Sequence, residues 1–331
     1  MLKLGGVTMK PSRRQILHLT AVATVLPAAS RFASAQAYPS RPVHLVVGYP
    51  PGLTPDIVGR LIAQSLSERL GQPVIVDNRP GAGSNIGTEA VVRAPADGYT
   101  LLVITFANAV NATLYQGLDF DIVRDIAPVA GTFQSPLVMA VSLSVPAKTV
   151  PEFIAYAKAN PGKINYASAG HGTVNNVAGE LFNMTAGVKL VHVPYRGSYV
   201  PDLLGGQVQL SFAPMPSVIE FIRAGTLRGL AVTGATRSDA LPNLPTVAEF
   251  VPGYEVNVWH GIGAPKDTPA EIVNKLNNEI NAVLATPKTK EQFADLGGSV
   301  IGGSPAAFGK FLADETEKWG KVIRTANIKP E

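Results

Sequence analysis

Two stretches of this chain run a short apolar strand into glycines and then into an amphipathic helix opened by a threonine, and this repeated junction constrains the fold most. The first is HLVVGYPPGLTPDIVGRLIAQSL, from His44 to Leu66, and the second is INYASAGHGTVNNVAGELFNM, from Ile164 to Met184. Each junction aims unpaired backbone N–H groups and the positive end of a helix dipole at one spot, where an anion can sit. One such junction is ordinary in an α/β protein. Two of them in one chain suggest two lobes that close on an anion.

The rest of the sequence agrees with that architecture. HLVV (His44–Val47), VIVD (Val74–Asp77), TLLVI (Thr100–Ile104) and IAPVAG (Ile126–Gly131) read as buried parallel strands, followed by LVMAV at Leu137–Val141. A second set comprises INYAS, KLVHV (Lys189–Val193), QVQLSF (Gln207–Phe212) and LRGLAV (Leu227–Val232). Strands alternating with helices predict a doubly wound α/β arrangement, in which ligands bind beyond the carboxyl ends of the strands. Both glycine loops fall there. Thr54-Pro55, Thr149 to Glu152 and Thr268 to Glu271 read as helix starts. Apolar stripes follow at Ile272, Leu276, Ile280, Val283 and Leu284, and at Phe308, Phe311, Leu312, Trp319 and Val322 behind Ser304-Pro305. They are expected to be core.

The beginning of the chain reads as an export signal. Lys3, Lys10, Arg13 and Arg14 precede the apolar run Ile16 to Ala29, and Ala33-Ser34-Ala35 supplies a small-residue cleavage site. Residues 1–35 are therefore assigned to a signal peptide, with cleavage after Ala35 or Ala37. Ser12 to Leu17 also fits a twin-arginine signal, so either export route remains open, as does a start at Met1 or Met9. The segment carries five of the 28 basic side chains and none of the 24 acidic ones, which leaves about 23 basic residues in the mature chain. A near-neutral domain without a basic run gives no footing for nucleic acid. With no cysteine, thiol chemistry, disulfides and cysteine-ligated metal sites are excluded.

The motifs of common enzyme classes are missing. Gly81, Gly83 and Gly87 in DNRPGAGSNIGTEA are spaced one residue too long for a dinucleotide fingerprint, and no phosphate-binding P-loop or nucleophile elbow occurs. His44, His171, His192 and His260 are dispersed and lack metal-site spacing. Asp119 and Asp121 read as a solvated turn. No enzyme activity, cofactor or metal is expected, the rival to a binding role being an exported α/β enzyme acting on carboxylates.

Long segments of the chain resemble the periplasmic solute receptors of tripartite tricarboxylate transporters, the Bug or TctC family. They are YPSRPVHLVVGYPPG, RLGQPVIVDNRPGAGSNIGTEAV, ADGYTLL, PGKINYASAGHGTVNNVAGELF, VHVPYRG, DLLGGQVQLSF, LPTVAEFVPGYEV and the closing IKPE. The resemblance implies a two-lobed fold similar to type II periplasmic binding proteins, with two connecting hinge strands and a cleft that closes on the ligand. The lobes are expected at residues 38–141 plus 256–331 and at 142–255. It further implies an exported, periplasmic protein, expected to be monomeric, that captures a small organic carboxylate. A dicarboxylate, an aromatic acid, an acidic amino acid or a related amide all fit. The partner would be the membrane permease of a tripartite tricarboxylate transporter or a sensor kinase.

The resemblance also places the ligand site. Tyr49, Pro51, Gly52, Thr54 and Asp56 belong to the first ligand loop, and Ser168, Gly170, His171, Gly172 and Thr173 to the opposing one. Asp56 suits loop ordering better than contact with an anion. Ser168 and Thr173 are candidate hydroxyl donors, although Thr173 reads equally as a helix cap. His171 is a specificity candidate or an exposed loop histidine. Arg196 either pairs a distal carboxylate or anchors its lobe. Tyr49, Phe106 and Trp259 are candidate aromatic walls, and Gly81, Gly83 and Asn85 a candidate floor. The chain departs from the family pattern with Gly52-Leu53 in place of paired glycines, and with Asn176, a further site candidate, where histidine is frequent. The stretch after Tyr195-Arg196-Gly197 is shorter, and His260 follows Trp259 where an aromatic is common. These departures bear on the identity of the ligand.

Overall fold

The first parallel unit shows how the sequence becomes a sheet. Strand β1 (Val43–Val47) pairs with β2 (Val74–Asn78), Val43 opposite Val74, and with β3 (Thr100–Thr105), Leu45 opposite Leu101. Between β1 and β2 runs helix α1 (Thr54–Leu70), which ends at Gly71 in a left-handed conformation with φ 67°. Strands covered on both sides need apolar side chains pointing both ways, and Leu45, Val46, Val47, Leu101, Leu102 and Val103 are all buried. The computed structural model describes residues 38–330. The predicted signal peptide and its cleavage sites lie outside them.

IAPVAG and LVMAV do not form separate parallel strands. They belong to one 17-residue strand, β4 (Ile126–Ser142), and every partner of that strand is antiparallel. Its first part, from Ile126 to Pro136, lies against β9 (Asn257–Pro265), which in turn pairs with β3. From Leu137 onwards it pairs with β7 (Leu210–Pro214) and β8 (Leu227–Val232). Parallel pairing resumes beyond β7, through β5 (Asn165–Ser168) to β6 (Val191–Pro194). The turn residues Pro128, Gly131 and Pro136 are absorbed into β4, with register shifts between Pro128 and Ala130 and between Gly131 and Phe133. An internal proline or glycine thus marks an irregularity of the ladder here, and not the end of a strand.

The point where β4 changes partners is tied by one buried hydroxyl. Thr233 Oγ1 accepts from Leu137 N–H at 2.7 Å and donates to the Val256 carbonyl at 2.6 Å. Its own N–H reaches the Leu137 carbonyl, and Val256 N–H returns to the Thr233 carbonyl. Three segments distant in sequence therefore share one saturated hydrogen-bond node, as buried backbone groups require.

Helix starts follow the sequence in part. Thr149 accepts from Glu152 N–H, and Ser304 from Ala307 N–H. At α1 the cap position is Leu53, one residue earlier than expected, without a side-chain cap. At the helix Ala270–Ala285 the cap is Pro269, one residue later than expected, and the Thr268 hydroxyl turns back to the Pro265 carbonyl at 2.7 Å.

The C-terminal helix (Pro305–Ala326) fastens onto β9 through a buried carboxylate. Glu315 Oε2 accepts from the indole N–H of both Trp259 and Trp319, each at 2.8 Å. Lys318 Nζ contacts the other oxygen, Oε1, at 3.2 Å. Phe308 and Phe311 pack edge-on against Trp259. Replacing Glu315 by leucine leaves two indole donors without their acceptor, while Lys318 keeps the Glu255 carbonyl. The expected loss is about 2–4 kcal/mol of unfolding free energy, with a smaller loss for Glu315→Gln. Urea denaturation of the two variants checks this.

Candidate functional site

The two glycine loops border one cavity of about 440 Å³. Tyr49, Leu53, Thr54 and Pro55 reach it from the β1–α1 junction, and His171, Gly172, Thr173 and Val174 from the junction between β5 and helix α6 (Val174–Ala186). The helix at Phe106–Leu114 supplies Phe106, Ala107, Asn111 and Leu114, and Gly83, Thr105, Tyr115, Pro214, Val258 and His260 complete the lining. Among these residues there is no lysine, arginine, aspartate or glutamate.

Both loops are pinned in the same way, by a side chain one helical turn ahead. Gly52, with φ 86°, donates its N–H to Asp56 Oδ2 at 2.9 Å. Gly172, with φ 72°, donates its N–H to Asn176 Oδ1 at 3.0 Å. Asp56 also accepts from Arg60 Nε and from Asn78 Nδ2, and that amide reaches the Tyr49 carbonyl. Burial pushes the Asp56 pKa up, but the bonds from Arg60, Gly52 and Asn78 together outweigh it and hold the carboxyl below its ordinary value of 3.8. Asn176 in turn donates to the Tyr166 hydroxyl at 2.9 Å. Asp56 and Asn176 are therefore loop-positioning residues, buried away from the cavity lining.

Several other candidates also lie off the cavity. Ser168 is fully buried. Its hydroxyl meets His192 Nε2 at 2.5 Å and accepts from the Gly170 N–H at 3.0 Å. Asn85 accepts from Asn111 Nδ2 beneath Gly83, whose carbonyl takes a bond from the same amide. Pro51, Gly52 and Arg196 are exposed, Gly170 is buried, and none of them lines the cavity. Trp259 faces the C-terminal helix.

The candidates that do converge are Tyr49, Thr54, Gly83, Phe106, His171, Gly172 and Thr173. The Thr173 hydroxyl donates to the Gly170 carbonyl at 2.7 Å and makes no side-chain cap, so it turns lone pairs, not a proton, to its surroundings. Burial pushes the Tyr49 phenol up, partly offset by the Thr105 hydroxyl. Gly172 approaches Leu114 so closely that an added Cβ would lie 2.3 Å from its Cδ2. The positive φ favours glycine at this position, and a Cβ would also push the Leu114 methyl aside. Leu53 lines the cavity while 49% exposed.

Sequence reading missed the helix at Phe106–Leu114 and the contribution of β9. The signal for the helix was present. Thr105 and Asn108 form a reciprocal cap, and Ala107, Asn111 and Leu114 recur at the spacing of one helical face. Val258 carried no signal of its own, and His260 stood out only as a departure beside Trp259, since it is pairing with β4 that brings β9 to the cavity.

The lining is an apolar and aromatic shell with two helix N-termini opening on it. Such a shell desolvates a small molecule, and the N-termini stabilise negative charge without a formal countercharge. Among the described residues, no group of three His, Cys, Asp or Glu side chains is placed to hold a metal ion. No described helix is long and apolar enough to cross a membrane.

Comparison with known proteins points the same way. Residues 58–328 match the family described as "Tripartite tricarboxylate transporter family receptor". Protein BugT of Bordetella pertussis is 36% identical over 301 residues, covering 89% of this chain and 92% of BugT. An R. palustris protein solved with adipate is 38% identical, with a TM-score of 0.74 over 89% of this chain and 100% of its own. MatC from Rhodopseudomonas palustris, solved with bound malate, is 29% identical, with a TM-score of 0.71 over 86% of this chain and 100% of its own.

The pinning of the first loop is open to test. An Asp held below 3.8 stabilises the fold fully above that pH and loses its contribution as pH falls through the lower folded value. Asp56→Asn is expected to cost about 1–3 kcal/mol at neutral pH and to flatten the loss of stability below about pH 4. Chemical denaturation of both proteins between neutral and acid pH reads this directly.

Proposed function

The chain belongs to the tripartite tricarboxylate transporter receptor family, solute-binding proteins rather than enzymes, and from that premise we propose that its cavity captures a small organic carboxylate. The observation that carries this reading is the pair of pinned helix N-termini on a cavity without a lysine or arginine. A carboxylate there is held by backbone N–H groups and helix dipoles at two loops. The adipate and malate held by its structural relatives support the same ligand class.

Capture follows from the way the loops are built. The lobes are taken as residues 38–141 plus 256–331 and residues 142–255, each contributing one loop, so the N–H groups converge on the ligand when the lobes approach. β4 and the segment entering β9 are the connections about which that movement occurs. The apolar shell, Leu53 included, excludes water as it closes. Export to the periplasm follows from the signal at residues 1–35, and the partner is a permease of the tripartite kind, with a sensor kinase as the alternative. A monomer suffices for this mechanism.

The purified protein should be stabilised by carboxylates and not by neutral analogues of the same shape. Ligand at a hundred times its dissociation constant adds about 2.7 kcal/mol, which a thermal-shift screen of organic acids detects. A response confined to sugars or metal ions would overturn the reading. Thr173→Ala removes the shorter of two hydroxyl contacts to the Gly170 carbonyl and loosens the second loop. Binding of the stabilising acid is expected to weaken about tenfold, or ~1.4 kcal/mol, as measured by calorimetry.

A further inference from the structure

His260 is the cavity residue whose chemistry the carboxylate reading leaves unused. It lies on β9 opposite Phe133 of β4 and Thr105 of β3. With Val258, two positions earlier, it shares the strand face that borders the cavity. The imidazole stacks on Phe133, with ring centres 5.5 Å apart and planes at 18°. It is 2% exposed, and neither ring nitrogen has a hydrogen-bond partner among the described residues. Burial pushes its pKa down to about 4, opposed by the Trp259 backbone, so the ring is neutral at neutral pH and offers one donor and one acceptor.

The neighbouring polar groups on the cavity are already engaged. Asn111 donates to the Gly83 carbonyl and to Asn85, and the Thr105 hydroxyl bonds Asn108. An apolar ring at position 260 would stack on Phe133 equally well, without two orphaned nitrogens. A buried polar side chain left unsatisfied beside a cavity is explained if the occupant supplies its partner. A second carboxylate is a poor occupant there. It would be stripped of water with no cation in the lining. A hydroxyl or carboxamide can donate to the bare ring nitrogen or accept from the protonated one, and it carries no charge.

We infer that His260 reads an uncharged hydrogen-bonding group, a hydroxyl or a carboxamide, on the ligand's apolar body away from its carboxylate, and thereby sets which carboxylate the cavity prefers. This rests on the carboxylate-receptor reading above. His260 is a specificity residue here, separate from the loops that hold the anion.

The test uses two matched probe sets. One is hexanoate, its terminal hydroxy derivative, the monoamide of adipate, and adipate itself. The other is benzoate, its para-hydroxy and para-carboxamide derivatives, and terephthalate. Affinities are measured by calorimetry for the unaltered protein and for His260→Phe, His260→Leu and His260→Gln, with the melting temperature of each free protein as the folding control. In at least one set, the unaltered protein should bind the hydroxy or amide acid about tenfold or more tightly than the parent. His260→Phe should erase that preference with a much smaller change in parent binding, and its free form should melt no lower than the unaltered protein. His260→Leu serves the same purpose if the phenylalanine variant does not fold, and His260→Gln should retain part of the preference. A preference that survives both apolar variants, an equal loss for parent and substituted acids, or tighter binding of the dicarboxylates by the unaltered protein would each overturn the inference alone. Failure of the unaltered protein to bind any of these acids would overturn the receptor reading and this inference with it.

Discussion

One strand serving two sheets is the constraint on which the rest of this structure depends. Within its 17 residues, β4 pairs first with β9 and then with β7 and β8. The parallel strands on either side reach each other only through it. Backbone hydrogen bonding must stay complete where the partners change, and Thr233 achieves this by linking Leu137 and Val256 through a single hydroxyl. The node is compact and fully buried. It leaves the two glycine loops facing one cavity from opposite flanks, with Pro214 at the end of β7 and Val258 and His260 on β9 between them.

On the proposed carboxylate reading, the site meets an electrostatic problem with helix dipoles and no formal countercharge. Arginine would bind a carboxylate strongly, but a buried guanidinium without its ligand is costly to maintain in an apolar cleft. Helix N-termini carry partial positive charge that never titrates. They are useful only if the loops ahead of them hold still. The matched bonds from Gly52 to Asp56 and from Gly172 to Asn176 provide that rigidity. Two loops unrelated in sequence have arrived at the same device, one with a carboxylate and the other with an amide. On the far side of the sheet, Glu315 performs the corresponding structural task, gathering two tryptophans between β9 and the C-terminal helix.

Much of this was legible in the chain because the signals are local. Apolar runs marked β1, β2, β3, β5 and β8 nearly to the residue, and the stripe from Phe308 to Val322 marked a helix face whose residues are largely buried. The resemblance to solute receptors pointed to both loops that border the cavity. Other features were illegible for physical reasons. Whether IAPVAG and LVMAV are one strand or two depends on partners more than a hundred residues away. Ser168 and Thr173 looked alike as hydroxyls, yet one is sealed against His192 and the other is turned to the Gly170 carbonyl. Asp56 was readable as a loop-ordering residue from its place in the first helical turn, whereas the equivalent task of Asn176 was not.

The sequence by itself determined the α/β alternation, the two glycine-to-helix junctions, the lack of cysteine, and the family, since each follows from short-range pattern or composition. Only the tertiary structure decided which side chains meet. It sent Trp259 to the core and His260, its neighbour, to the cavity, because alternate residues of a strand face opposite sides. It turned Asn111 and Leu114 inward from a helix that sequence reading passed over. Those placements depend on the pairing of β4 with β9, a long-range contact that no local pattern encodes.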